Sequence, residues 1–333
     1  MKFAFALLLG SQLFGASFVI FQAPNCPGTA PTAINNDGVI VGTCSSDQGA
    51  IDRGFIRGRS GRFTALPGLV PAHINIRGAI TGTYQGTCEI PLPNVPPIPC
   101  SQGFVRSSSG AVTKFSANKS NGTGTFPSAI NSAGRIVGVV TSGSVAAQGF
   151  LRNPDGTIVT PLEAISPPFY KGALPADIND SGEVVGAVIR PVTDILNSFL
   201  LAPDGTATLI GPLNIASSAA LGINNTGTVV GYARMPSPFP FTFEGYIQAR
   251  TGAVIVFPLP KPVNEFGTRP PVGARINNSG VAVIQNVYYD GTATTIDLGP
   301  CTNVVAAALN DSGWVTGTCT VQGGKLAGFL WRK

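Results

Sequence analysis

Few residues in this chain have the types and spacing that chemistry demands. Among 333 residues there is one histidine, His73, two positions before Asn75 in the segment HINIRGAITG. Asp177 and Arg275 stand at the same place before Asn179 and Asn277, in DINDSGEVVG and RINNSGVAVI. If those segments converge, an imidazole, a carboxylate and a guanidinium meet, and a charged cluster in a concave site is where an acid or base would be sought. A solvated lining is the plainer reading of the same three residues. The five glutamates, Glu89, Glu163, Glu183, Glu244 and Glu265, leave a glycoside-cleaving carboxylate pair open but select none. The sequence has no Gly-x-Ser-x-Gly, no phosphate-binding loop ending in Lys-Ser/Thr and no His-Glu-x-x-His. It also has no Cys-x-x-Cys, so neither a metal nor a cofactor is expected.

The elements that must position these residues repeat. The motif Ile/Leu-Asn-x-x-Gly occurs seven times, anchored at Asn35, Asn75, Asn131, Asn179, Asn224, Asn277 and Asn310, and six copies keep a second Gly four residues on. Asn opening a type I turn and Gly closing it with a positive φ are hairpin chemistry. A second turn follows in six units, with Gly61, Gly110, Gly156, Gly205, Gly252 and Gly291. In five of them an aromatic precedes that Gly by six positions: Phe55, Phe104, Phe150, Phe199 and Tyr246. Each unit reads as four short strands, A to D, with tight A–B and C–D turns and no helical period. Spacings of 33 to 56 residues exclude a rigid solenoid and suit propeller blades. The expected fold is all-β, a seven-bladed β-propeller of four-stranded antiparallel blades.

The last unit runs through WVTGTC and AGFLWRK with strands A to C but no D, whereas SFVIFQAP precedes the first A strand. The N-terminal strand is therefore expected to complete the last blade and remove an open edge. Cys26 and Cys44 flank Asn35 by nine residues on either side, and Cys301 and Cys319 flank Asn310 identically. Equivalent places on paired strands predict the bridges Cys26–Cys44 and Cys301–Cys319, leaving Cys88–Cys100 to staple a long B–C loop. An even count of cysteines bridging neighbours suits an oxidising compartment.

The start MKFAFALLLGSQLFGAS reads as a secretory signal peptide over residues 1–16, followed by one propeller domain over 17–333. An uncleaved anchor over Phe3–Phe21 is the alternative; no segment of the mature chain would cross a membrane. Hydrophobic residues at 44% against charged ones at 11% supply a core and a sparsely charged surface. The net charge of +5 is spread around the repeat, with Arg57, Arg106, Arg152 and Arg332 in one position. Charge spread around a ring does not form a stripe that tracks phosphates, so nucleic acid is not an expected partner.

The segments GINNTGTVVGY, AGFLW and DGTATTIDLG, at Gly222, Ala327 and Asp290, resemble the bacterial extracellular HAF repeats. Those repeats are written Asn-x-x-Gly-x-Val-Val-Gly, then His-Ala-Phe-Leu, then Thr-Asp-Leu-Gly. The likeness covers nearly the whole mature chain, although no unit keeps the His before Phe. It implies an exported propeller and lends no catalytic residue.

In such a blade the A–B and C–D turns share one face and the B–C loops and D–A crossovers the other, which holds most of the length variation. Its loops are rich in Pro and carry Phe169, Tyr170, Phe239, Phe241, Phe243 and Phe266. Rigid aromatic loops suit contact with a glycan, an envelope component or a protein. Rings folded down over blade edges are the alternative. The expected function is that of a secreted, extracellular or periplasmic binding module, a monomer. The competing reading is a propeller lyase or hydrolase with its site at the channel.

Overall fold

The structure is a computed structural model that describes residues 16–46, 50–88, 96–117, 124–142, 145–160, 162, 172–190, 195–212, 215–236, 242–260 and 273–333. The leader reading, 1–16, lies outside them except for its last residue, and of the alternative anchor, Phe3–Phe21, only residues 16–21 are described. Seven four-stranded antiparallel sheets form the blades. β1 (Ser17–Phe21) precedes blade one, which is β2 (Gly28–Ile34), β3 (Ile40–Ser45), β4 (Ile51–Arg57) and β5 (Phe63–Pro67). Blade two is β6 (Leu69–Ile74) to β9 (Val112–Phe115), and blade three β10 (Gly124–Ile130) to β13 (Ile158–Val159). Blade four is β14 (Gly172–Ile178), β15 (Val184–Ile189), β16 (Leu196–Leu201) and β17 (Ala207–Leu209). Blade five is β18 (Ser217–Ile223), β19 (Val229–Arg234), β20 (Phe243–Gln248) and β21 (Val254–Pro258). Blade six is β22 (Ala274–Ile276) to β25 (Ala293–Thr295). Blade seven joins β26 (Thr302–Leu309), β27 (Val315–Thr320) and β28 (Leu326–Arg332) to β1, in the order β1-β28-β27-β26.

The ring closes as the repeat phase requires. Ser17 pairs with Arg332 and Phe21 with Gly328, so the first strand supplies the missing edge of blade seven. The bridges Cys26–Cys44, Cys88–Cys100 and Cys301–Cys319 are all present. The long B–C loop expected in blade two, Gln85–Gln102 in the sequence, is partly strand, because β7 (Ile80–Cys88) and β8 (Ile98–Arg106) stay paired as far as Cys88 with Ile98, where the disulfide ties them.

Packing rests on a cross-strand pair that recurs in six blades. The second Gly of the motif, on strand B, sits opposite the aromatic of strand C: Gly42 with Phe55, Gly82 with Phe104, Gly138 with Phe150, Gly186 with Phe199, Gly231 with Tyr246 and Gly317 with Phe329. The rings are at most 2% exposed. Burying each is worth about 1.5–3 kcal/mol. In blade four a Cβ on Gly186 would lie 2.8 Å from the Phe199 ring and 2.1 Å from the carbonyl of Leu174. Blade six lacks both partners, setting Ile284 against Val287. Its B–C connection is only Gln285–Asn286.

The turn asparagines are 3–6% exposed and tie blade to blade. In blade five the Asn224 Oδ1 accepts the N–H groups of Thr226 and Thr228, at 3.1 and 2.9 Å. Its Nδ2 donates to the carbonyl of Asn277 in blade six at 2.9 Å. Six such donations run around the axis: Asn75 to Asn131, Asn131 to Asn179, Asn179 to Asn224, Asn224 to Asn277, Asn277 to Asn310 and Asn310 to Asn35.

Candidate functional site

Each A strand except that of blade six carries a register shift just before its inward-facing end, as between Pro71 and His73 or Pro175 and Asp177. A bulge of this kind re-aims the side chains that follow it. The three polar residues of that register, His73, Asp177 and Arg275, line one cavity of about 140 Å³ around the axis at the turn face. The convergence expected from the repeat is therefore real.

Their hydrogen bonds run between blades. Asp177 is 7% exposed, and its Oδ2 accepts the N–H of Ile223 in blade five at 3.1 Å while its Oδ1 accepts that of Ile178 at 2.9 Å. Arg275 Nη1 donates to the carbonyls of Leu221 in blade five and Ala274, both at 2.9 Å. His73 Nδ1 accepts a long bond, 3.5 Å, from the N–H of Ile130 in blade three. Enclosure by protein, and secondarily the charge of Arg275, push the imidazole down to about 3. His73 is thus neutral and a feeble base at physiological pH. Burial raises the Asp177 carboxyl, against the opposing pull of Arg275 and its two N–H donors. The three side chains brace adjacent blades along the channel wall through backbone groups.

Outside the brace runs a polar rim that motif reading missed, formed by the residue after each turn asparagine. Ser132, Asp180, Asn225, Asn278 and Asp311 each donate a backbone N–H to the side chain at the same place in the next blade, at 2.8–3.0 Å. The chain of bonds stops at Asn36, because the next rim residue, Ile76, has no acceptor. The signal was a column in the repeat, visible only once neighbouring blades are set side by side. Among the described residues no group of three or more His, Cys, Asp or Glu side chains could hold a metal ion.

Of the loop aromatics, Phe169, Tyr170, Phe239, Phe241 and Phe266 lie outside the described residues. Phe243 is not in a loop. It opens β20, pairs with Arg234 across the ladder and is 8% exposed, edge-on to Tyr232 at a ring separation of 5.7 Å. The ladder turns it inward between blades four and five, so it takes the packing role.

No protein-family model matches the sequence, and neither does any curated protein. Solved structures do match. An acylaminoacyl peptidase of Pyrococcus horikoshii is 12% identical with a TM-score of 0.58, over 91% of this chain and 51% of that one. A hydrazine synthase of Kuenenia stuttgartiensis is 12% identical with a TM-score of 0.50, over 96% and 98%. The likeness is one of fold. A gluconolactonase of Xanthomonas campestris, 11% identical with a TM-score of 0.43 over 96% and 90%, is more distant still. The chain spans about half the length of the peptidase it matches.

Proposed function

We propose that the chain is an exported binding module of the HAF-repeat kind whose loop-bearing face meets a glycan, an envelope component or a protein. The observation that carries this reading is the fate of the channel cluster: Asp177, Arg275 and His73 each tie neighbouring blades through hydrogen bonds. The residues best suited to acid–base work are thereby committed to architecture, and a histidine held near 3 is poorly matched to catalysis at neutral pH. Three disulfides are compatible with an extracellular or periplasmic compartment. Among the described residues no helix is long and apolar enough to cross a membrane.

The test is binding of the purified chain to glycan and envelope-protein arrays. Binding should survive His73→Gln and Arg275→Gln and fall when Phe169, Tyr170, Phe239, Phe241 and Phe266 are replaced by alanine. The reading is overturned if the arrays stay blank. It is also overturned if a folded channel variant loses a measurable turnover that the parent chain performs, which would favour the lyase or hydrolase.

A further inference from the structure

The seam between blades seven and one holds a cavity of about 370 Å³ on the turn face. Another seam indicates what belongs in it. Arg250, two residues before the C–D turn glycine Gly252, lies over Gly227 of its own A–B turn and donates through Nη2 to the Glu183 Oε2 of blade four at 2.6 Å. Glu183 directly follows the turn glycine Gly182, and in blade seven the same place after Gly313 belongs to Trp314. Arg59, two residues before Gly61, is the counterpart of Arg250, and its stem likewise lies over a turn glycine, 3.7 Å from where a Cβ on Gly38 would stand. At the seam of blades seven and one, therefore, the arginine is kept and its carboxylate is replaced by an indole. Among the described residues Arg59 makes no hydrogen bond and no ion pair, and it lines the cavity together with Trp314.

We propose that this seam binds a carboxylate-bearing sugar residue, a uronate, whose carboxylate takes beside Arg59 the place that Glu183 takes beside Arg250. The partly exposed Trp314 supplies the flat apolar surface that the C–H face of a pyranose needs. Arg57, its guanidinium 4.7 Å above the Phe21 ring, lines the same cavity as a second cation. The Arg332 guanidinium stands over the indole, 5.7 Å from its centre, and adds a third positive charge beside the cavity, outside its lining. Asp37 on the rim opposes them, but three guanidinium groups outnumber one exposed carboxylate. The volume lies near the lower end of ligand pockets, room for one or two rings. A neutral sugar would leave Arg59 unmatched, so charge sets the selectivity. The site lies on the turn face, opposite the loops, so it stands or falls apart from the function proposed above.

The experiment titrates digalacturonate into the full chain and follows indole emission. Trp331, the other tryptophan, is 3% exposed, so the change reports on Trp314. A saturable change is expected with digalacturonate and none with neutral galactobiose. Arg59→Ala, at an exposed position, should weaken binding at least about tenfold, the loss of one charge-assisted contact. Arg250→Ala should leave it unchanged. Trp314→Glu rebuilds the internal ion pair and removes the reporter, so it is read by titration calorimetry: binding should be abolished while the thermal midpoint holds or rises. Equal binding of galactobiose, undiminished binding by Arg59→Ala, binding of an acidic peptide in place of the uronate, or no response to millimolar digalacturonate would overturn the proposal.

Discussion

An asparagine amide can accept two N–H groups and still donate, whereas an aspartate in its place cannot donate. That asymmetry explains why the turn position keeps Asn in all seven units while its neighbour varies among Asn, Asp, Ser and Ile. At the same scale, His73 has a measurable consequence. Its folded-state pKa lies near 3, below the ordinary 6.5 of an unfolded chain. On acidification the unfolded state takes up a proton that the folded state refuses, so this contribution to stability is complete above pH 6.5 and is lost as pH falls toward 3. Asp177 has the opposite sign: its raised pKa makes its charge costly, and that cost grows as pH climbs above the ordinary carboxyl value of 3.8. The single imidazole resonance should therefore show no titration between pH 8 and 5. Urea midpoints at pH 7.5 and 4.5 should differ less in His73→Gln than in the parent chain.

At the scale of the strand, the glycine and its facing ring form one unit. Gly186→Ala would drive a methyl into the Leu174 carbonyl and the Phe199 ring, and the carbonyl belongs to backbone that cannot step aside. A loss of about 3 kcal/mol is expected by chemical denaturation, toward the upper end for overpacking. Phe199→Leu added to it should not restore stability, because the carbonyl remains. Much of this layer was legible from residues alone. The Asn-x-x-Gly column marked each A–B turn, the offsets of Cys26 and Cys44 about Asn35 named their bridge, and SFVIFQ announced the closing strand. The belt of amide donations, the bulge before Asp177 and the inward turn of Phe243 were not legible. Each depends on what a neighbouring strand or blade presents at that height, which a linear pattern does not encode. The seam of Arg59 and Trp314 escaped for a related reason: its meaning lies in the contrast with Arg250 and Glu183.

For the whole molecule, β1 is the element on which closure hangs. Without residues 17–21, β28 would expose an unpaired row of backbone groups beside buried Trp331 and Phe329. The truncated chain should elute in size-exclusion chromatography as species at least twice the size of the intact chain's; a fully folded truncation eluting at the size of the intact chain would refute this. Yet the place where the chain ends meet is among the better-tied seams. Asn310 reaches Asn35 across it, and Asp311 and Asn36 exchange two further bonds. Between blades one and two, among the described residues, neither the asparagine belt nor the polar rim continues, and Thr32 to the Pro71 carbonyl is the polar tie that crosses. That seam is carried by apolar packing, Ile34, Val41 and Phe55 sharing one buried cluster with Ile74, Ile80 and Phe104, so the polar belt is interrupted one blade away from the visible join while the core runs through unbroken.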